Sequence, residues 1–245
     1  MLTLQAKSLA ETTRHARERL IVALDVSSSA AAQKIVFEVG DCACIFKIGT
    51  QLFTAEGPQL VRDLVASGRK VFLDLKLHDI PNTVASAVAE VAKLKVSMLT
   101  VHASGGGKML ASAVAAAGQA PAPPTILAVT VLTSMEHSEL PRIGVRGTIV
   151  DQTLRLATLA ITNGCDGIVA SAHEVRELRS ELGKDFAIVT PGIRPPGSEK
   201  GDQARVVTPA EAISAGATHI VVGRPITGAR DPAAAAREIL QQIDF

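Results

Sequence analysis

The chain has 245 residues, of which 47% are hydrophobic and 20% are charged, and its formal net charge is +1. This length and this balance predict a single globular domain whose core is large enough to offset the entropy of folding. Basic and acidic residues are interspersed and the chain has no Trp or Tyr. We therefore expect no nucleic-acid surface, which would need a basic stripe or stacking aromatic side chains.

Neither a membrane span nor a disulfide framework is predicted. The longest apolar stretches, such as residues 126–132, contain Thr and fall far short of the roughly 20 residues that span a bilayer. Residues 1–19 mix charged side chains, lack the apolar segment of a secretory signal, and are expected to form a helical N-terminal extension. Cys42, Cys44 and Cys165 are few and odd in number, which predicts small buried thiols in a cytoplasmic protein.

Short β-rich runs alternate with longer Ala-rich helical stretches along the chain, which predicts a parallel sheet. Eight such units, with no residues left for a second domain, favour a closed (β/α)8 TIM barrel over residues 20–245 rather than an open doubly wound sheet. The predicted strands are Leu20–Val26, Ala43–Gly49, Lys70–Leu77, Ser97–Ala103, Thr125–Leu132, Cys165–Ser171, Ala187–Ile193 and His219–Pro225. The clearest predicted helices are Pro81–Leu94, Thr148–Asn163, His173–Leu182, Pro209–Ala215 and Pro232–Ile243, several of which begin near Pro and end near Gly.

Polar residues gather at the predicted carboxyl ends of the strands, where the active site of such a barrel lies. The densest group follows strand three, where side-chain alternation puts Asp74 and Lys76 on one face and two leucines on the other. If the leucines contact the helices, the charged pair points into the barrel, next to Lys47 of strand two. From these residues alone, a structural ion pair at the barrel mouth is an equal alternative to a catalytic one.

A phosphate site is predicted at strands seven and eight, whose loops often bind phosphate in this fold. The loop after strand seven reads PGIRPPG around Arg194 and continues to Gln203, and predicted strand eight contains Gly223 and Arg224 just before its end at Pro225. A glycine lets backbone N–H groups approach an anion, and a guanidinium binds phosphate oxygens in pairs. Either arginine alone could be an ordinary surface residue.

Other motifs do not indicate a cofactor or metal site. Gly105–Lys108 reads GGGK but lacks the first Gly and the final Ser or Thr of a Walker loop. The six histidines have no metal-ligand spacing, so no metal is predicted. His102 ends strand four, and a hydrogen-bonded structural role is expected for it.

Residues 74–83 read DLKLHDIPNT, and this segment resembles the signature of the orotidine 5'-monophosphate decarboxylases, in particular of the bacterial type. The resemblance covers nearly the whole chain after Arg19, with no departure at a position that the family uses. It is carried further by ALDV at Asp25, FKIG at Lys47, VHASGG at His102, TVLTS at Thr133, PGIRP at Arg194 and VVGRPI at Arg224.

The resemblance implies a homodimeric enzyme that converts orotidine 5'-monophosphate to uridine 5'-monophosphate in pyrimidine biosynthesis without a metal or cofactor. It implies that Lys76 donates the proton that replaces the carboxylate, and that Asp74 lies against that carboxylate. The remaining implied roles are ribose binding by Asp25 and Lys47, a contribution to the partner's site by Asp79, Ile80 and Thr83, contact with the pyrimidine by Thr133 and Ser134, phosphate binding by Gln203, Gly223 and Arg224, and loop closure at Arg194.

Two other functions stay open at this point. A Mg²⁺-dependent sugar-phosphate decarboxylase or lyase of the same barrel superfamily can share the Asp-x-Lys-x-x-Asp spacing, although the IPNT ending and the PGIRP loop argue against it. A non-catalytic barrel that binds a phosphorylated ligand would not need the complete set of charged residues.

Overall fold

The computed structural model describes residues 15–196 and 207–244. Eight parallel strands close into one barrel in chain order, which confirms the predicted (β/α)8 architecture. The strands are β1 Leu20–Ala23, β2 Ile45–Gly49, β3 Lys70–Leu77, β4 Met98–His102, β5 Thr125–Val129, β6 Gly167–Val169, β7 Ala187–Thr190 and β8 His219–Val222.

Strand β3 has its predicted bounds, and the other strands are shorter than predicted at one or both ends. The difference at the carboxyl ends has a physical reason, because the chain there bends into the loops that surround the barrel mouth. The prediction that Arg224 lies on strand eight was therefore wrong. Strand β8 ends at Val222, and Arg224 opens a short helix.

Helices follow the strands around the outside of the barrel, and all five predicted helices are present. Capping boxes at Thr148 with Asp151 and at Thr208 with Glu211 fix where two of them begin, because each pair satisfies backbone N–H groups at the helix start. The helices are α1 Ser29–Val39, α2 Thr50–Ala66, α3 Pro81–Ala92, α4 Gly107–Gly118, α5 Ile149–Thr162, α6 Val175–Leu182, α7 Pro209–Ala215, α8 Arg224–Thr227 and α9 Pro232–Ile243.

The strand side chains form two separate apolar clusters, as alternation requires. One set packs beneath the helices and includes Val22 and Leu73. The other fills the barrel interior, so the barrel is a packed core and has no open channel. The interior set contains Ile21, Ala23, Ile45, Phe72, Met98, Leu127, Val189 and Val221.

The expected N-terminal helix is described only over residues 15–19, which are helical, and residues 1–14 lie outside the described part of the chain. Within the described ranges, no helix combines the length and apolar character needed to cross a membrane. All three cysteines are free thiols. Cys165 is buried as predicted, whereas Cys42 and Cys44 are half-buried at the edges of the two clusters.

Candidate active site

A cavity of about 370 Å³ opens at the carboxyl ends of the strands. The apolar interior layer forms its floor, where Phe72, Val189 and Val221 contact it. On β1, β2 and β3 the next inward-facing residues are Asp25, Lys47 and Asp74, so charged side chains lie directly above the apolar core. The charged residues that surround the cavity are Asp25, Lys47, Asp74, Lys76, Arg194 and Arg224.

Two aspartates and two lysines form an alternating row on one side of the cavity. Lys47 Nζ lies 3.0 Å from Asp25 Oδ1 and 3.7 Å from Asp74 Oδ2. Lys76 Nζ donates a hydrogen bond to the same oxygen of Asp74 over 2.9 Å. The side chains of Lys47 and Asp74 are each 12% exposed. Because opposite charges adjoin, the row offsets the desolvation of its two least exposed members, Lys47 and Asp74.

Strand β3 presents Asp74 and Lys76 through an irregularity in its pairing with β4. The register shifts between Leu73 and Leu77, which partner Leu99 and Val101. Within this bulge Lys76 has a φ of 52°, in the left-handed region that non-glycine residues rarely adopt. The predicted alternation holds for the leucines, since Leu77, like Leu75, packs against the cluster beneath the helices.

Sequence reasoning missed Thr100, a fully buried residue of β4. Its hydroxyl donates to Asp74 Oδ1 over 3.0 Å and accepts the backbone N–H of Lys76 over 2.9 Å. The available signal was a polar residue at the centre of an otherwise apolar strand. Thr100 lies two residues before His102, so alternation puts the two side chains on the same face of β4.

The two arginines meet the cavity from the side of β7 and β8. Arg194 is only 7% exposed, and its Nη1 donates to the carbonyl of Ile193 over 2.9 Å. Burial lowers the pKa of Arg194, and the neighbouring positive charge of Arg224 lowers it further. Gly223 also borders the cavity, just before Arg224. Two converging guanidinium groups attract an anion into this part of the site.

The other predicted site residues are distributed unevenly. Thr133 borders the cavity, whereas Ser134 is exposed and is not part of its lining. Asp79, Ile80 and Thr83 are also exposed and lie outside the lining of this subunit's cavity. Gln203, like the neighbouring Arg205, falls outside the described residues.

His102 has the structural surroundings that the sequence predicted. Its ring stacks on His78 with centroids 5.3 Å apart, and its Nδ1 lies 3.0 Å from Ser104 Oγ. Burial lowers the pKa of His102, and the charges of His78 and Lys76 lower it further. The lowered pKa favours the neutral form of the ring. Across the described residues, no group of three His, Cys, Asp or Glu side chains is placed to hold a metal ion.

The fold and the site define a class, a (β/α)8 barrel enzyme whose charged pocket accommodates an anionic small molecule. The model of the orotidine 5'-phosphate decarboxylase / HUMPS family matches residues 18–239. The chain belongs to this family.

Individual relatives align with this chain over almost its full length. A protein named orotidine 5'-phosphate decarboxylase from Moorella thermoacetica is 49% identical, over 94% of this chain and 94% of the relative. A protein of the same name from Sodalis glossinidius is 48% identical, over 98% of this chain and 96% of the relative. The crystal structure of orotidine 5'-phosphate decarboxylase from Lactobacillus acidophilus has a TM-score of 0.84 and 40% identity, over 93% of this chain and all of that one.

Proposed function

We propose that this chain decarboxylates orotidine 5'-monophosphate to uridine 5'-monophosphate, as a step of pyrimidine biosynthesis. The observation that carries the proposal is the row of Asp25, Lys47, Asp74 and Lys76 at one side of a pocket whose other side holds two arginines. This arrangement suits a substrate with a reacting carboxylate at one end and a phosphate at the other.

The chemistry requires fixed charges. When carbon dioxide leaves, the electron pair of the broken C–C bond stays on a ring carbon with no adjacent electron sink, so positioning and electrostatic stabilisation must lower the barrier. The Lys76 ammonium stabilises that pair and transfers a proton to it, and the resulting amine takes a proton back from water. Asp74 repels the substrate carboxylate, and this repulsion disappears as neutral carbon dioxide forms.

The remaining residues bind the nucleotide. Asp25 and Lys47 hold the ribose hydroxyls, and Thr133 with Ser134 borders the pyrimidine. Arg224, with Gln203 and the backbone of Gly223, binds the phosphate, and Arg194 belongs to the loop that closes over it. Contacts at the phosphate, far from the reacting bond, supply binding energy for closing the loops and excluding water. No metal or cofactor takes part in the proposed reaction.

A spectrophotometric assay with orotidine 5'-monophosphate and purified protein tests the activity. We expect turnover that is unchanged by a chelator and by added Mg²⁺. Absence of turnover with saturating substrate would refute the proposed function. Turnover lost with chelator and restored by Mg²⁺ would favour the metal-dependent alternative.

The functional unit is proposed to be a cytoplasmic homodimer in which Asp79, Ile80 and Thr83 complete the partner's site. The exposure of these residues supports this, since Ile80 is a large apolar side chain that is 66% exposed. The Asp79 carboxylate accepts the N–H of Ile80 over 2.6 Å and is exposed just beyond the end of β3. The cytoplasmic location is supported by the three free cysteines, which are typical of a reducing compartment.

Mixed dimers test the shared site. Lys76→Ala and Asp79→Ala proteins should each be nearly inactive, and refolding an equal mixture should restore about a quarter of wild-type activity, because half of the dimers are hybrids and half of their sites are whole. The control mixes Lys76→Ala with Lys47→Ala, which act in the same site and should restore nothing. No recovery in the first mixture, with hybrids confirmed by mass, would refute sharing.

A further inference from the structure

The backbone of Lys76 is held in an unfavourable conformation at the point where its side chain enters the pocket. Its φ of 52° lies in the left-handed region, where the Cβ of an ordinary residue crowds the backbone. The register shift in the β3–β4 pairing spans this residue, so the regular ladder does not fix it. A specific interaction has to hold Lys76 in place, because strained conformations persist only where their surroundings determine them.

That interaction comes from one hydroxyl group. The backbone N–H of Lys76 donates to Thr100 Oγ1 over 2.9 Å, and Thr100 Oγ1 donates its own proton to Asp74 Oδ1 over 3.0 Å. The other carboxylate oxygen of Asp74 accepts from Lys76 Nζ over 2.9 Å. Thr100, Asp74 and Lys76 therefore form a closed ring of hydrogen bonds that joins the main chain of Lys76 to its own ammonium group.

Thr100 is suited to this task in two ways. It is fully buried, so solvent does not readily replace its hydroxyl. It is also β-branched, which restricts the side-chain torsion and fixes the direction of the Oγ1 atom. The hydroxyl donates its single proton to Asp74 and accepts the N–H of Lys76 with a lone pair, so one group orients both partners.

We propose that Thr100 is a positioning residue, whose hydroxyl holds the bulge of β3 so that the Lys76 ammonium and the Asp74 carboxylate stand in their reactive places. Thr100 does not border the cavity, and it acts through these two residues without touching the substrate. The expected effect on kcat rests on the proposed function, whereas the expected effect on the position of Lys76 does not.

Thr100→Val removes the hydroxyl while keeping the shape of the side chain. We expect kcat for orotidine 5'-monophosphate to fall about 100-fold, since a misplacement of about 1 Å at a reacting group costs that much. KM and the affinity for uridine 5'-monophosphate should stay near wild type, because the phosphate contacts lie across the barrel. Thr100→Ser retains the oxygen and should recover most of kcat.

Thr218→Val is the matched control. Thr218 Oγ1 accepts the N–H of Ile188 over 3.0 Å and donates to the carbonyl of Ile188 over 3.0 Å, just before β8 begins and at the opposite end of the barrel from the pocket. This variant loses an equivalent strand-to-strand contact, so it should lower the melting temperature without lowering kcat.

Crystal structures of the wild type and Thr100→Val, both without ligand, supply a second readout. We expect Lys76 to leave its left-handed conformation and Nζ to move away from Asp74 in the variant. If the wild type fails to decarboxylate the nucleotide, the proposed function falls while this displacement still supports the positioning role. The inference is overturned if Lys76 stays in place, if Thr100→Val keeps full kcat, or if Thr218→Val loses as much kcat as Thr100→Val.

Discussion

Replacing Arg224 with alanine should weaken binding of the nucleotide and leave binding of the nucleoside unchanged. Arg224 and Arg194 border the same cavity, and the positive charge of Arg224 helps to lower the pKa of Arg194. Two guanidinium groups that repel each other bind most favourably to a ligand that places negative charge between them. The phosphate is the only group that distinguishes uridine 5'-monophosphate from uridine, so the pair of ligands isolates this contact.

The size of the effect follows from the exposure of the side chain. A hydrogen bond to a charged group contributes about 1.5–3 kcal/mol. Arg224 is exposed, so solvent screening puts its contribution in the lower half of this range. Its removal also relieves the repulsion on Arg194. A net loss of about 2 kcal/mol corresponds to roughly 30-fold weaker binding, at about 1.4 kcal/mol per tenfold change.

Titration calorimetry with both ligands measures this difference. Arg230→Ala is the control, because Arg230 is an exposed arginine beyond helix α8 and outside the cavity lining, so its removal makes the same change in net charge. We expect only Arg224→Ala to lose nucleotide affinity. Equal losses for the nucleotide and the nucleoside, or no loss for either, would show that the phosphate binds elsewhere.

Three further results are expected. Lys76→Ala should abolish decarboxylation but preserve nucleotide affinity and the circular dichroism spectrum, and turnover near wild type would remove Lys76 from the mechanism. Burial lowers the pKa of His219 to about 4 from 6.5. Between these two pH values the imidazole is protonated in the unfolded chain and neutral in the folded chain, so stability falls as the pH falls. Denaturant titrations should show roughly 3 kcal/mol of stability lost between pH 6.5 and 4 that His219→Asn does not lose. Hydrogen bonds from Thr148 lower the pKa of Asp151, so the deficit in melting temperature of Asp151→Ala should narrow as the pH falls below 3.8.

Much of the fold was predictable because each strand repeats the same simple requirement. A strand covered on both faces reads as a short apolar run between turn residues, and β3 even had its predicted bounds. The strand ends were less predictable, because apolar residues continue past the last ladder hydrogen bond. Val131, for example, is buried although β5 ends at Val129.

The charged residues that border the cavity were predictable, but their geometry was not. Alternation correctly separated Asp74 from Leu75, yet regular alternation contains no bulge and no left-handed lysine. The role of Thr100 depends on which residue of β4 lies beside the bulge, and register between strands is not encoded within either strand alone. Long-range placement of this kind needs the closed barrel.

Barrel closure also explains why the two ends of the site are on opposite sides. Lys76 lies on β3 and Arg194 follows β7, four strands away around a ring of eight. The Lys–Asp row is close to neutral by itself, so a substrate carboxylate placed beside Asp74 gains little there in the ground state. In the proposed reaction, the arginines across the barrel bind the phosphate, and that binding energy holds the carboxylate against Asp74. The proposal thus puts most of the binding at the end of the substrate that does not react and leaves the charge of Lys76 for the anion that forms.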